Sequence, residues 1–209
     1  MSLPTRPPPG ERTDASMRIL AAAKALFAHH GYEGVSIRDI AVQANVSKAN
    51  IFHHFVSKAG LYKAVLEDTS SMFETLLECF RGDDDDGSER IGRFARRNLE
   101  TMLEDPDAVH LFLRQMLNRR GNSQRADAEA IIARDLARIR HHVGAELPGV
   151  GNPAADPLVL TLCILGTNFI YFQLQDVLPR LPQADPPADH ERFSQQLMAL
   201  LHPAISHSG

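Results

Sequence analysis

Apolar residues recur every three or four positions along most of this chain, and short polar stretches separate the segments in which they do so. This spacing is typical of amphipathic helices, whereas half-buried strands alternate apolar and polar residues. We find neither such alternation nor an internal repeat. The sequence therefore predicts an all-helical protein. Its longer helices are predicted over residues 13–30, 58–80, 88–104, 106–117, 122–147, 158–178 and 188–201.

Two short helices joined by a tight turn are predicted within residues 35–58. Ser36, with Asp39 three residues later, has the pattern of a capping box, so the first helix begins there. Asn45 lies where the chain must reverse, and asparagine tolerates a left-handed backbone. Ser47 then caps the second helix. This arrangement predicts a helix-turn-helix.

The outer face of the second motif helix carries side chains that suit the major groove of DNA. Its inner face holds Ile51 and Phe55, which can pack on the first motif helix. The outer face combines a cation, a small residue, an amide, a flat apolar ring and an imidazole, and the amide can pair bidentately with adenine. These candidates are Lys48, Ala49, Asn50, Phe52 and His53. For Phe52, packing within the protein is the competing interpretation.

Contacts with the DNA backbone are predicted on either side of this helix. Lys58 begins the next helix, where its charge can meet a phosphate. Arg38, on the exposed side of the first motif helix, is predicted to reach a base or a phosphate. Ser36 and Ser47, at the two helix starts, complete the predicted DNA-binding set.

Residues 18–66 resemble the N-terminal domain of the TetR family of transcriptional regulators. The resemblance rests on an Ile-Leu-x-Ala-Ala helix, a Leu-Phe, a Gly-Tyr, a Ser before Ile-Ala, a Val-Ser-Lys, and a His-His-Phe followed by Ser-Lys. It implies DNA contact at Arg38. The chain departs from the family at Phe52, where tyrosine is usual, and at Asn45 and Ala49, where glycines are frequent. A phosphate contact through a tyrosine hydroxyl is thereby lost, and a thymine-methyl contact can replace it.

Charge divides the chain into a basic head and an acidic body. Residues 1–63 carry eight Lys and Arg against four Asp and Glu, whereas residues 64–209 carry fourteen against twenty-two. A basic head is drawn to a polyanion such as double-stranded DNA. We therefore predict a Pro-rich disordered arm (1–12), a helix-turn-helix DNA-binding domain (13–63) and a helical body for effector binding and dimerisation (64–209).

The body is predicted to bind a small hydrophobic effector and to form a homodimer. A dimer interface is expected in the last two helices, at about 158–178 and 188–201, because paired heads read a palindrome. The alternative is that these helices close the core of one chain. Candidate effector-binding residues are Met102, His110, Phe112, Met116, Ile139, Phe169 and Tyr171. Most of these are apolar, and such residues also form ordinary cores.

The cysteines and the apolar segments favour a reduced, cytoplasmic protein. Cys79 and Cys163 lie far apart in apolar surroundings, so both are predicted to be reduced core residues. The chain opens on a polar, Pro-rich stretch rather than a signal peptide. The most apolar run, 158–172, is interrupted by polar residues and falls short of the ~20 apolar residues of a membrane span.

Neither a metal site nor an enzyme is predicted. The adjacent histidine pairs diverge on a helix and cannot share one ion, and the Asp run at 83–86 lacks the alternation of a calcium loop. We find no nucleophile or phosphate-loop motif, and we predict no cofactor. The sequence predicts a dimeric, ligand-responsive transcriptional regulator, usually a repressor in the family that it resembles. Two alternatives are a sequence-independent architectural DNA-binding protein and an interaction module or enzyme with a vestigial motif.

The two kinds of predicted DNA contact differ in what their loss does. Asn50→Ala is expected to lose ~1–3 kcal/mol of binding free energy at one base step, whereas Lys58→Ala weakens binding to all sequences alike. Binding titrations with operator and scrambled DNA measure both effects. An unchanged ratio of operator to scrambled affinity in Asn50→Ala contradicts the assignment of Asn50.

Overall fold

The structure is a computed structural model that describes residues 14–81, 86–117, 123–147, 156–182 and 189–205. Its helices are α1 (Asp14–Gly34), α2 (Ile37–Gln43), α3 (Lys48–Phe55), α4 (Lys58–Leu77), α5 (Gly87–Glu104), α6 (Pro106–Leu117), α7 (Ser123–Glu146), α8 (Pro157–Leu174) and α9 (His190–Ile205). Short 3-10 turns lie at Glu78–Phe80 and Leu178–Arg180. These described ranges contain no strand, and the all-helical fold class is confirmed.

The helices form two compact units. The first unites the chain up to Thr69 with Asp107–Ala128, so α6 packs with the helix-turn-helix. Apolar side chains removed from solvent form its core, as an amphipathic stripe requires. They include Ile19, Ala23, Phe27, Ile40, Ile51 and Leu61, each 0 % exposed. The predicted boundary between the two functional domains, between residues 63 and 64, stays a prediction. The first packing unit extends further, to Thr69, and also includes Asp107–Ala128.

The second unit consists of Ser70–Pro106 and Glu129–Gly209. In it α5 packs against both α8 and α9, around a core that includes Ile91, Phe94 and Ile139. A buried amide pair crosses from α8 to α5. Asn168 donates through Nδ2 to the backbone oxygen of Ala95 (2.7 Å) and to Oδ1 of Asn98 (2.9 Å). Because buried polar groups are costly unless they are paired, this contact favours one alignment of the two helices.

Several sequence expectations need correction. The helices predicted to reach residues 80 and 178 end at Leu77 and Leu174. Cys79 is buried as predicted, but Cys163 is exposed rather than part of the core. Asp86, the last residue of the Asp run, has a role that was not predicted: it caps α5 by accepting from the backbone nitrogen of Glu89 at 2.9 Å. The predicted arm, 1–12, lies outside the described residues.

Helix α8 is apolar, but less than a third of its residues are buried within one chain. Its 18 residues have a mean hydropathy of 1.6, and 28 % of them are buried. By length and composition it passes as a membrane span, although a single helix of this kind is weak evidence for one. Exposed positions on α8 include Val159, Leu162, Ile170 and Leu174. The sequence pattern predicted an apolar helix here, and the structure shows that much of its surface is uncovered within one chain.

Three described residues of the first unit have positive φ: Asn45, at 53° as its position in the turn predicted, and two that we consider further, Gly31 and Val56. Gly31 interrupts α1 with φ 74° and ψ 169°. Val56, between α3 and α4, has φ 63° and ψ −42°, and Ser57 donates from its backbone nitrogen to the oxygen of Phe55 at 2.6 Å. A γ-turn of this hand is strained for a β-branched residue.

We expect substitutions at Val56 and Gly31 to have opposite effects on the free energy of unfolding. Val56→Gly should raise the free energy of unfolding by about 1 kcal/mol, because glycine adopts a positive φ without a Cβ clash. Gly31→Ala should lower it by at least about 1 kcal/mol. Urea denaturation measures both, and a destabilised Val56→Gly variant contradicts the strain at Val56.

Candidate DNA-binding surface

Hydrogen bonds at the helix starts and one buried side chain fix the position of α3, the second helix of the predicted helix-turn-helix. Ser47 Oγ accepts from the backbone nitrogen of Asn50 at 3.1 Å. Ile51 is 0 % exposed, and α3 packs against α1 and α2. In α2, the predicted capping box is present: Ser36 Oγ accepts from Asp39 N at 3.2 Å, and Asp39 Oδ2 accepts from Ser36 N at 2.9 Å. These contacts fix which side of α3 faces outward.

The outward side of α3 carries most of the predicted base-reading residues. Lys48, Ala49 and His53 are exposed. Phe52 is 47 % exposed, so its ring is not a core side chain. Arg38 of α2 is also exposed. These side chains are accessible as the predicted role requires, and their contacts with DNA stay predictions.

Asn50 is placed differently from its neighbours. It is half-buried, and its Oδ1 is buried with no hydrogen-bond donor among the described residues. Bidentate pairing with adenine uses both ends of the amide. Asn50 must therefore change its side-chain torsions to read a base, and an unpaired buried oxygen favours such a change.

The second histidine of α3 has a different role from His53. His54 is half-buried, and burial, followed by the charge of His53, lowers the pKa of its imidazole. A lowered pKa favours the neutral ring near pH 7. A neutral, half-buried ring is typical of a side chain that packs within the protein.

Lys58 lies at the first residue of α4, beside an aromatic cluster that the sequence analysis did not assign. Its Nζ lies 4.2 Å from the centroid of the Tyr32 ring. Tyr32 in turn contacts Tyr62 with ring centroids 5.0 Å apart. The Gly-Tyr pair was visible as a motif, but nothing in the sequence predicted its contact with Lys58.

A cleft of about 730 Å³ lies between α1 and α6 in the first unit. Arg114 crosses it and donates through Nε to the oxygen of Ala28 (3.2 Å) and through Nη2 to that of His29 (2.9 Å). At its wall, Gln115 Nε2 donates to the hydroxyl of Tyr62, and burial raises the pKa of Tyr62 to about 12. Contacts over such sequence separations leave no local signal, so Arg114 and Gln115 were missed.

The predicted effector residues are not brought together in one unit. His110, Phe112 and Met116 belong to the first unit, whereas Met102, Ile139, Phe169 and Tyr171 belong to the second. Of the seven, only His110 lines the 730 Å³ cleft. A cleft of about 500 Å³ in the second unit is lined by none of them. Its lining is mostly polar, with three arginines of α5 and glutamates from α5, α9 and the 3-10 turn at Glu78–Phe80. The effector site stays a prediction.

Metal-ligating side chains are not clustered in the part of the chain that the structure describes. No three His, Cys, Asp or Glu side chains come together there as a possible ion site. The histidine pairs of α1 and α3 form ring contacts, His29 with His30 and His53 with His54.

The sequence profile described as "Bacterial regulatory proteins, tetR family" matches residues 19–65. The matched segment runs from the core residue Ile19 through both motif helices to Val65 in α4. Residues 19–65 are therefore similar to the N-terminal domain of the TetR family. The TetR resemblance of the sequence is thereby confirmed.

Two proteins to which this chain is similar are named as transcriptional regulators. The HTH-type transcriptional regulator RutR of Escherichia coli K12 is 36 % identical over 99 residues, which cover 47 % of this chain and 46 % of RutR. The HTH-type transcriptional repressor AcnR of Corynebacterium diphtheriae is 41 % identical over 70 residues, covering 32 % and 37 %. The matches span less than half the length of both relatives.

Likeness to solved structures extends over the whole fold. The crystal structure of AibR in complex with isovaleryl coenzyme A and operator DNA covers 91 % of this chain and 99 % of AibR, with a TM-score of 0.66 and 23 % identity. At this identity the likeness shows the fold alone. The fold of the chain is thus similar to that of AibR, whereas the matches to RutR and AcnR each cover less than half of the chain.

The capping box of α2 should make the first unit sensitive to acid. Hydrogen bonds from Ser36 hold the pKa of Asp39 below its usual value of 3.8. A carboxylate with a lowered folded-state pKa stabilises the fold above its unfolded pKa, and this contribution is lost as the pH falls through that range. Asp39→Asn and Ser36→Ala should each lower the stability near neutral pH and flatten its decline in acid.

Urea titrations at several values between about pH 6 and pH 3 measure this dependence. The double variant should decline as Asp39→Asn does, because both lack the titrating carboxylate, whereas Ser36→Ala keeps the bond from its backbone nitrogen to Asp39 and should be flattened only in part. A decline as steep as that of the unmodified protein in both single variants contradicts the assignment.

Proposed function

We propose that this protein is a ligand-responsive transcriptional regulator, a repressor, that binds a palindromic operator as a homodimer. The observation that supports the proposal most directly is the exposed face of α3. There Lys48, Phe52 and His53 are exposed, while Ile51 on the opposite side is buried and fixes the helix. A helix presented in this way fits the major groove. RutR and AcnR, named as regulator and repressor, support the same function.

Two kinds of DNA contact are assigned to this surface. Lys48, Asn50, Phe52 and His53 read base edges, with Ala49 allowing close approach and Phe52 contacting a thymine methyl group. Arg38, Lys58 and the helix starts at Ser36 and Ser47 hold the backbone. Because base contacts specify the sequence and phosphate contacts do not, binding should be both selective and salt-dependent.

DNA-binding titrations test this function directly. Palindromic DNA from beside the protein's own gene should bind at least ~10³-fold more tightly than scrambled DNA at fixed salt. A ratio near one supports the sequence-independent architectural alternative instead. Failure to bind any DNA at low salt contradicts the function and leaves the interaction-module alternative.

Dimerisation is proposed through α8 and α9. The exposed apolar residues of α8 recur at helical spacing, from Val159 and Leu162 to Ile170 and Leu174. Gly166, with nothing within 4 Å of a built Cβ, lies in the same row and permits close approach of another helix. On α9, Leu200 is 79 % exposed. A second copy covers such a face with the same face of its own, as two-fold symmetry requires.

The effector is proposed to be a small hydrophobic molecule that binds the helical body and changes the operator affinity. A coupling of ~1–3 kcal/mol suffices for a 5- to 150-fold change. Because the AibR structure holds isovaleryl coenzyme A with operator DNA, acyl-CoA thioesters are the first class to test. An effector that binds yet leaves the operator affinity unchanged contradicts this part of the proposal.

We expect Leu162→Glu to dissociate the dimer, because it places two charges within the apolar interface. Light scattering after gel filtration should give the mass of two chains for the unmodified protein and of one chain for the variant. Leu117→Glu, at a still more exposed leucine of the first unit (69 % against 51 % for Leu162), is the control and should stay dimeric. A monomeric unmodified protein, or its recovery with membranes, contradicts the interface.

A further inference from the structure

Tyr32 lies immediately after the break in α1. The φ of 74° at Gly31 is a conformation that residues with side chains rarely adopt, and it redirects the last residues of the helix. The redirected ring of Tyr32 stacks near Phe27, with centroids 6.0 Å apart, and meets the edge of Tyr62. The break therefore places an aromatic face at the start of α4.

The ammonium of Lys58 occupies that face. It lies 4.2 Å from the centroid of Tyr32, within the range of a cation–π contact. A ring accepts the cation from one side, so N–H groups of the ammonium remain available to a phosphate. A freely rotating lysine side chain loses conformational entropy when it binds a phosphate. A lysine that is already held in place loses less, so its contact with the phosphate favours binding more.

We propose that Tyr32 is a positioning residue for DNA binding, which holds Lys58 at the start of α4 for a backbone phosphate. This inference rests on the proposed DNA-binding function. The start of α4 suits an anion, because first-turn N–H groups and the helix dipole both favour negative charge there. Ser57 Oγ accepts from one of these groups, the nitrogen of Gly60, at 3.0 Å, and thereby fixes the turn.

Helix α6 holds Tyr32 in this position from the other side. Arg114 donates to the oxygens of Ala28 and His29, which end the regular part of α1 just before Gly31. Gln115 donates to the hydroxyl of Tyr62, the ring that contacts Tyr32. These contacts all lie within the first unit. They stabilise the break, so the position of the Tyr32 ring depends on α6 as well as on α1.

A double-mutant cycle separates positioning from a merely structural role. The variants are Tyr32→Leu, which removes the aromatic face, Lys58→Met, which removes the charge, and their combination. Tyr32→Phe keeps the face and is the matched control. Fluorescence anisotropy with operator and scrambled DNA gives the affinity of each protein, and thermal denaturation reports its folding.

Tyr32→Leu should weaken binding to both DNAs alike, by about two- to fivefold per head, the equivalent of an exposed cation–π contact. Tyr32→Phe should bind as the unmodified protein does. In the Lys58→Met background, Tyr32→Leu should cause no further loss. An equal loss in both backgrounds overturns the proposal, because it indicates a general packing role, and so does tighter binding by Tyr32→Leu.

A second measurement does not depend on whether Tyr32→Leu folds. In the unmodified protein, the ring current of Tyr32 should shift the NMR signals of the Lys58 ε-methylene group upfield, and the shift should persist when DNA is added. Its loss on binding overturns the proposal. If the unmodified protein binds neither DNA, the proposed function fails, whereas DNA binding with additive losses in the cycle overturns the role of Tyr32 alone.

Discussion

Burial of Ile51 is the constraint on which the candidate DNA-binding surface depends. With this side chain at 0 % exposure, the rotation of α3 about its axis is fixed. Residues on the opposite side of the helix must then face solvent. Because α3 has only eight residues, it would not hold this position alone in water, and packing on α1 and α2 supplies the stability. The surface is thus a consequence of the small core behind it.

A second constraint ties α6 to this surface. Packing places Asp107–Ala128 in the same unit as the helix-turn-helix, although the chain enters and leaves this segment through helices of the other unit. The link through Arg114 and Gln115 reaches the segment that holds Tyr32 and Lys58. In the proposed regulation, an effector bound to the second unit could act on the DNA-binding surface through α4 and α6, because the chain runs from one unit into the other at these helices. In the proposed dimer the exposed side of α8 meets a second copy, so the proposed regulation and dimerisation would use different helices.

Local signals in the sequence predicted most of the helices and the front of the candidate site. The capping box at Ser36, the cap at Ser47 and the periodic apolar residues act within one or two turns, so the predicted and observed elements agree there. Long-range contacts left no such signal. The bond from Arg114 to α1 and the exposure of Cys163 depend on how helices pack, which periodicity does not determine. The effector residues were chosen by composition, and packing divides them between two units.

Photocrosslinking with an operator that carries 5-bromodeoxyuridine in place of thymine tests the central claim most directly. Crosslinking joins the substituted base in each half-site to the side chain that lies nearest to it. Mass spectrometry then identifies the crosslinked peptide. The account predicts crosslinks within Lys48–His53, with Phe52 or His53 foremost. Crosslinks confined to other parts of the chain would contradict it, because the exposed side of α3 would then not be the surface that enters the groove.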